Sequence, residues 1–209
     1  MEYPNSFEEL VECFKMLPGI GTKGAERMVY HILAMDDDQV QRFSQALIDF
    51  KSNIQYCQRC GHICEGELCE ICLDQQRDQT TICVVESPKD VFAMEKLKEY
   101  RGLYHVLHGT MSIMDGKTID DLNIQTLFDR LDENIKEVII ATNPTREGET
   151  TALFLAKLLA KQNIPASRIA NGLPIGGNLD YADELTLLKS LEEERNYKSS
   201  HIINEVIFL

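Results

Sequence analysis

The sequence lacks a surplus of positive charge. Its 209 residues include 21 Lys and Arg against 34 Asp and Glu, so the formal net charge is −13 and the isoelectric point about 4.8. Proteins that coat nucleic acid neutralise many phosphates with clustered basic side chains. This composition excludes that class, and any DNA binding must be confined to a small basic region or multiplied by oligomerisation.

Long apolar runs are also lacking. No stretch approaches the roughly 20 apolar residues that a membrane-spanning helix needs. The first residues, Met1 to Glu9, are acidic and lack the apolar stretch of a secretion signal. There is no low-complexity tract and no Gly-x4-Gly-Lys-Ser/Thr motif, so nucleotide hydrolysis does not follow from the sequence. We expect a cytoplasmic protein without membrane contact.

Four of the seven cysteines follow a spacing typical of zinc sites. Cys57, Cys60, Cys69 and Cys72 read C-x2-C-x8-C-x2-C. Thiolates in two close pairs suit tetrahedral Zn²⁺, and four of them leave no open coordination position. The alternative, disulfide pairing, fits a reducing cytosol less well. We predict one structural zinc ion within residues 54–78, with Cys64 as an alternative ligand.

A glycine-rich turn precedes the cysteines, in the segment Leu17-Pro-Gly-Ile-Gly-Thr-Lys-Gly-Ala-Glu-Arg27. Gly19 and Gly21 flank Ile20, which can insert into a helical core while the backbone turns tightly. A helix that begins directly after the turn points its free N–H groups at it, which is a phosphate-binding geometry. Lys23 and Arg27 lie four residues apart on one helical face and can contact flanking phosphates. The alternative is an ordinary helix–helix turn with solvated basic residues.

Apolar periodicity predicts three helices before the cysteines. The first covers residues 6–16 with Ser6 as its N-cap, and the second covers residues 22–34 with Thr22 as its N-cap. The third covers residues 38–51 and turns its apolar side chains inward, namely Val40, Phe43, Leu47 and Ile48. Together the three helices predict a small helical domain.

From Thr80 onwards, strands alternate with helices. Apolar runs at 82–86, 104–107, 137–142 and 168–171 predict four strands. Their alternation with helices predicts a parallel sheet covered on both faces. A helix over 183–196 and an apolar stretch over 202–209 follow. We expect this last stretch to pack on its own or a neighbouring subunit, because an exposed β-prone segment promotes aggregation.

The first strand ends at Glu86, and Asn143-Pro-Thr-Arg-Glu-Gly-Glu149 follows the third strand, an arrangement that resembles the Toprim fold of topoisomerases and primases. In catalytic Toprim proteins, an Asp-x-Asp pair and the strand-end glutamate hold Mg²⁺. Here Asn143 and Thr145 stand where those aspartates would be, so two negative charges are missing. Glu86, Glu147 and Glu149 remain, and a small primase or magnesium-dependent nuclease that uses them alone is the rival interpretation. Glu147 and Glu149 also suit the first turn of a helix.

The order of hairpin, four-cysteine loop and degenerate Toprim motif resembles the RecR family of bacterial recombination mediators over nearly the whole chain. Further local matches are Ile82–Glu86, Glu99–Leu107, Ala141–Thr145 and Arg168–Pro174. The resemblance implies a multidomain α/β protein with four parts. These are a helix-hairpin-helix DNA-binding domain (1–53), a four-cysteine zinc finger (54–78), a parallel Toprim sheet (79–175) and a C-terminal helical and extended segment (176–209) with a Walker B-like stretch at 181–185.

The resemblance also implies a function without catalysis. RecR-like proteins form ring-like homotetramers and bind single- and double-stranded DNA irrespective of sequence. They act with RecO, and in some cases with RecF, to place RecA on single-stranded DNA coated by single-strand-binding protein. The implied location is the cytoplasm, at the nucleoid. A DNA-independent assembly protein is the remaining alternative.

Two groups of site residues follow for this chain. Lys23 and Arg27 match the family's DNA-contacting residues by position, and with Gly19 and Gly21 of the same turn they form the predicted DNA-binding site. The resemblance also implies that the Toprim face around Glu86, Glu147 and Glu149 offers an acidic surface to the basic partner RecO.

Overall fold

The computed structural model of the protein describes residues 3–112, 114–170, 173, 176 and 178–192. The chain forms two compact units, Met1–Ile54, here called the helical unit, and Gln55–Leu209, here called the sheet unit. Among the described residues, no helix has both the length and the apolar character that crossing a membrane requires.

The helical unit contains three helices, α1 (Asn5–Lys15), α2 (Thr22–Leu33) and α3 (Asp37–Asn53). Helices α1 and α2 form a hairpin around a small core of Val11, Ala25 and Val29. Ile20 lies in the turn between them and packs against this core. The predicted insertion of Ile20 is therefore present, and it fixes the path of the glycine turn.

The helix starts differ from the prediction. Ser6 is wrong as an N-cap, because α1 begins at Asn5 and the Pro4 carbonyl accepts the hydrogen bonds of its first turn. Thr22 is wrong in the same way, because it is the first residue of α2 and Gly21 is the N-cap. Helix α3 has a full capping box, in which the Asp36 carboxylate accepts from the Gln39 N–H and the Gln39 side chain accepts from the Asp36 N–H.

The apolar face of α3 is exposed, so the predicted inward orientation is wrong. No residue of α3 is buried, Leu47 is 59% exposed, and Phe43 and Ile48 are similarly open. Val40 is half-buried. Periodicity correctly identified an amphipathic helix, but it cannot specify whether the same chain or another covers the apolar stripe.

The sheet unit is built on four strands, β3 (Asp78–Val85), β4 (Gly102–Val106), β5 (Glu137–Ile140) and β6 (Ala166–Arg168). These strands form a parallel sheet in the order β4-β3-β5-β6. The connections contain α5 (Pro88–Glu95), α6 (Gln125–Phe128), α7 (Arg146–Lys161) and a 3-10 turn at Ile119–Asp121. The predicted parallel α/β sheet is confirmed, and the fully buried Leu107, Leu127, Leu155 and Leu159 form part of its core.

The four-cysteine loop forms the start of the sheet unit. Strands β1 (Gln55–Tyr56) and β2 (Ile63–Cys64) pair antiparallel, and the one-turn helix α4 (Glu70–Leu73) follows. The loop is hydrogen-bonded to the sheet, because the Val106 N–H donates to the Cys60 carbonyl oxygen at 2.7 Å.

Gly61 lets the loop approach this closely. It has φ +75°, and a Cβ there would lie 2.9 Å from the Val106 carbonyl oxygen.

The C-terminal segment is described as far as residue 192. It contains a 3-10 turn (Leu179–Tyr181) and α8 (Glu184–Glu192), which confirms the start of the predicted helix. The predicted continuation to residue 196 and the apolar stretch 202–209 lie outside the described residues.

Candidate functional sites

The four cysteines of the predicted zinc site come together. The sulfur atoms of Cys57, Cys60, Cys69 and Cys72 all lie within 4.8 Å of one another, and all four residues are buried. A tetrahedral Zn²⁺ with Zn–S bonds of about 2.3 Å needs sulfur atoms about 3.8 Å apart. The Cys60–Cys69 sulfur distance is 3.5 Å, so the geometry fits one Zn²⁺ ion closed to other ligands.

Backbone groups orient these sulfur atoms. The His62 N–H donates to Cys60 Sγ at 3.4 Å, and the Cys69 N–H donates to Cys57 Sγ at 3.3 Å. Helix α4 places Cys72 one turn after Cys69. Cys64 lies outside the four-sulfur group and its thiol donates to the Gly66 carbonyl oxygen, so the alternative ligand is not part of the site.

The crowding of the thiols opposes full ionisation without a cation. The hydrogen bond between Cys60 and Cys69 raises the pKa of Cys60 and lowers the pKa of Cys69, so one thiol keeps its proton while the other becomes a thiolate. A bound Zn²⁺ stabilises all four thiolates and removes this conflict.

Arg130 is a half-buried cation beside the zinc site, and no sequence motif pointed to it. Its Nη1 donates to the Tyr104 carbonyl oxygen at 2.9 Å and to the Arg59 carbonyl oxygen at 3.4 Å. Burial lowers the pKa of Arg130, and the charges of Cys72 and Cys60 act in the opposite direction. Because zinc with four thiolates carries a net charge of about −2, Arg130 compensates part of that charge and joins the zinc loop to strand β4.

The glycine turn gives α2 an open N-terminus. Gly19 has φ +82°, a conformation that other residues rarely adopt, and space around it is open. The first helical hydrogen bond runs from the Ala25 N–H to the Gly21 carbonyl oxygen, and no side chain caps the helix. The N–H groups of the first turn therefore face the glycine turn. Lys23 and Arg27 are both exposed on α2.

Lys23 has a neighbour of opposite charge. Its Nζ lies 2.9 Å from Glu26 Oε2, and the Lys23 side chain is 92% exposed whereas that of Glu26 is 19% exposed. The Glu26 side chain is therefore mostly covered, while the Lys23 side chain is open to solvent. The spacing of three residues between Lys23 and Glu26 on one helix could have predicted this ion pair.

At the carboxyl ends of β3 and β5, Glu86 is bonded to Asn143. The Asn143 N–H donates to Glu86 Oε1 at 2.7 Å, and Asn143 Nδ2 donates to Glu86 Oε2 at 2.5 Å. Both carboxylate oxygens are thus engaged by the residue that replaces the first Toprim aspartate. Gly148 permits this approach, because a Cβ there would collide with the Asn143 carbonyl oxygen.

The other acidic side chains do not converge on Glu86. Glu147 and Glu149 occupy the first turn of α7, where they complement the helix dipole, and Thr145 caps the same helix by accepting from the Gly148 N–H. Glu149 Oε1 lies 3.1 Å from Arg168 Nη2. Among the described residues, the cysteine group is the only cluster of three or more metal-ligating side chains.

The fold and these sites together define a zinc-finger protein that joins a helical hairpin to a Toprim sheet with a depleted acidic edge. Family models match the same parts in the same order. They describe the RecR helix-hairpin-helix (residues 7–51), the RecR zinc finger domain with four cysteines (54–74), a Toprim domain (80–170) and the RecR C-terminal region (172–193).

Two curated relatives extend this match to nearly the full chain. The "Recombination protein RecR" of Staphylococcus haemolyticus (strain JCSC1435) is 52% identical over 192 residues, covering 91% of this chain and 97% of the relative. The protein of the same name from Staphylococcus saprophyticus subsp. saprophyticus is 51% identical with the same coverage. The chain belongs to the RecR family, and the predicted fold class and structural zinc site are confirmed.

Proposed function

We propose that this protein is a non-enzymatic mediator of DNA recombination and repair. It binds DNA through the α1–α2 hairpin and, together with RecO and in some settings RecF, places RecA on single-stranded DNA coated by single-strand-binding protein. The observation that carries the proposal is the glycine turn before the uncapped end of α2, with exposed Lys23 and Arg27 beside it. In this proposal, residues 1–53 are the DNA-binding part, and the protein acts in the cytoplasm at the nucleoid.

The chemistry of the hairpin supports binding to phosphate irrespective of base sequence. Open backbone N–H groups and two cations recognise the sugar–phosphate backbone and do not read base edges. Such contacts are available on single- and double-stranded DNA alike. Gly19 and Gly21 contribute by keeping the turn free of side chains, since a Cβ at either position would point into open space where a phosphate could approach.

Charge limits this binding within a single subunit. Residues 1–54 contain five Lys and Arg against nine Asp and Glu, so the cations of the hairpin act in an acidic surrounding. Glu26 adds to this limit, because it pairs with the same Lys23 that would contact a phosphate. Several hairpins on one oligomer would raise the affinity without further contacts.

Replacing Glu26 with glutamine should strengthen DNA binding by about three- to tenfold at low salt. The substitution keeps the size of the side chain but releases Lys23 from an ion pair that competes with phosphate. Fluorescence anisotropy with a labelled oligonucleotide measures the change. The matched control is Glu12→Gln, which breaks the equivalent Lys15–Glu12 pair on α1 and should leave affinity unchanged. Equal affinities for Glu26→Gln and the parent protein would contradict this competition.

The acidic edge supports a role without catalysis. A two-metal Toprim reaction needs several carboxylates around Mg²⁺. Here Glu86 accepts two hydrogen bonds from Asn143, and Thr145 is used as a helix cap. DNA cleavage or synthesis that requires Mg²⁺ and disappears on Glu86→Gln would favour the rival enzyme.

An apolar surface on α3 supports oligomerisation. Phe43, Leu47 and Ile48 form an exposed stripe on a helix that has no buried residue. Exposed apolar stripes of this kind usually mark contacts between proteins. We propose that this stripe contributes to a homotetrameric ring, and the mass of the protein in solution, with and without DNA and RecO, tests both assembly and partnership.

The carboxyl edge of the sheet is our candidate surface for RecO. Glu86, Glu147 and Glu149 lie at this edge, and the Glu147 carboxylate has no ion-pair partner among the described residues. A basic partner would be attracted by the uncompensated charge, mainly through faster association.

A RecA assembly reaction on DNA coated by single-strand-binding protein tests the proposal as a whole. The protein with RecO should accelerate RecA assembly, and Glu147→Lys should weaken RecO binding about tenfold and slow assembly accordingly. Titration calorimetry measures the binding. Glu133→Lys, an equal charge change at an exposed position in the loop before β5, is the control. Unchanged RecO affinity in Glu147→Lys would reject this surface, and no acceleration by the parent protein would reject the proposed function.

A further inference from the structure

The face of α2 that carries Lys23 and Arg27 also carries an exposed aromatic ring, Tyr30. The three residues are spaced i, i+4 and i+7, so they lie on one side of the helix, with Tyr30 about 10 Å beyond Lys23 along the axis. Tyr30 is 51% exposed. The helix face thus presents two cations followed by a ring.

Tyr30 belongs to a cluster of three rings that is held by the helical core. Phe7 of α1 packs against that core, and its ring lies 5.0 Å from Tyr30 in an edge-on arrangement. Tyr3 stacks on Phe7 at 4.3 Å, and the Tyr3 and Tyr30 hydroxyl oxygens are 3.4 Å apart. Tyr3 is 43% exposed, so the cluster packs against the helical core through Phe7 while Tyr3 and Tyr30 remain open to solvent.

Aromatic rings beside cations suit single-stranded nucleic acid. In such complexes, basic side chains follow the phosphates while unpaired bases stack on aromatic side chains, whatever the base. In an intact duplex the bases already stack on each other and are not available to a ring at the surface. An exposed ring can therefore distinguish single-stranded from double-stranded DNA, whereas cations that contact phosphates cannot.

We propose that Tyr30, supported by Tyr3 and Phe7, is a stacking platform for a base of single-stranded DNA whose phosphates contact Lys23 and Arg27. This inference rests on the proposed DNA-binding function of the hairpin and adds a preference for unpaired bases to it. The expected ligand is a flexible single strand of nucleic acid with unpaired bases. Stacking on the uncharged Tyr30 ring would increase the affinity for this strand without a further cation.

The test compares two oligomers that carry the same phosphates. One is oligo-dT, and the other is an abasic oligomer of equal length that lacks bases. The full-length protein should bind oligo-dT about tenfold more tightly, which is within the range for one stacked base. Tyr30→Leu should bring the ratio of affinities close to one and leave binding of the abasic oligomer unchanged. Tyr30→Phe should keep the ratio, because stacking uses the ring and not the hydroxyl group.

Two further measurements make the test independent of one substitution. The chain has no tryptophan, so Tyr30→Trp introduces a single indole whose emission should be quenched by oligo-dT and not by the abasic oligomer. Tyr181→Leu is the control, because Tyr181 is 85% exposed in the sheet unit and should not influence the ratio.

The outcomes separate this inference from the proposed function. Equal binding of both oligomers by the parent protein would overturn the platform and leave phosphate binding by the hairpin intact. Binding of neither oligomer would overturn both. A change in the mass of the protein in solution on Tyr30→Leu, with the ratio of affinities preserved, would identify the ring as a contact between subunits and overturn the platform.

Discussion

DNA binding is expected to disappear when Lys23 and Arg27 are both replaced by glutamate, with affinity reduced about 100-fold or more. Each substitution removes a contact between a cation and a phosphate and adds a negative charge that repels the strand. Losing two phosphate contacts should also reduce the dependence of log K on log salt concentration by about 1.4 per hairpin on single-stranded DNA. Anisotropy titrations at several salt concentrations measure both quantities.

The control for this variant must carry the same change in net charge. Lys136→Glu with Lys157→Glu alters two exposed cations of the sheet unit by the same amount. It should bind DNA within about twofold of the parent protein. The mass of the Lys23 and Arg27 variant in solution should be unchanged, since neither residue is in the helical core. If that variant still retarded DNA as well as the parent, the assignment of the hairpin would be wrong.

Replacing Cys57 with serine is expected to release the zinc ion and to lower the melting temperature by about 10 °C or more. A neutral hydroxyl group is a poor ligand for zinc compared with a thiolate, and the remaining three thiolates would crowd without enough positive charge. For a chain of this size, each kcal/mol lost at the melting temperature corresponds to about 2–4 °C. Metal analysis and differential scanning calorimetry measure the two effects.

Cys64→Ser is the matched control for the zinc site. Cys64 lies in the same loop but outside the four-sulfur group, so this variant should retain one zinc ion per chain and the parent melting temperature. A Cys57→Ser protein that kept stoichiometric zinc would refute the ligand assignment. Loss of zinc from both variants would mean that Cys64 takes part in binding after all.

The zinc site and the sheet could be predicted because their signals are local or strictly periodic. The two C-x2-C pairs, Cys57 with Cys60 and Cys69 with Cys72, are typical of four thiolates that bind one tetrahedral zinc ion. The buried strands, such as Ile82–Val85, are continuous apolar runs separated by helices, which few folds other than a parallel sheet accommodate. The turn at Gly19 was predictable because a positive φ there favours glycine.

The contacts between distant segments could not be predicted. Arg130 reaches the zinc loop only because the chain returns to it after β4, and no spacing rule connects the two. The hydrogen bonds from Asn143 to Glu86 depend on the register of β3 against β5, which the sequence does not specify. The exposure of Leu47 on α3 could not be predicted either, because apolar periodicity does not indicate whether the same chain or another chain covers an apolar face.

The state of the acidic edge was also hard to predict, because it depends on a contact between residues that are distant in sequence. Substitution of aspartate by Asn143 signalled a loss of charge, but the sequence left open whether Glu86 stayed available to a metal ion. In the structure, Asn143 donates hydrogen bonds to both carboxylate oxygens of Glu86, a contact that the sequence did not predict.

The hydrogen bond between the Cys60 carbonyl oxygen and the Val106 N–H has a practical consequence for chimaeras between relatives. A junction placed near residue 78 would combine the zinc loop of one relative with the sheet of another. The close contact between Gly61 and Val106 would then join residues from two different proteins. Hybrids joined near residue 54 should keep the contacts between the zinc loop and the sheet, because that junction lies between the two compact units and the loop is exchanged together with its own sheet.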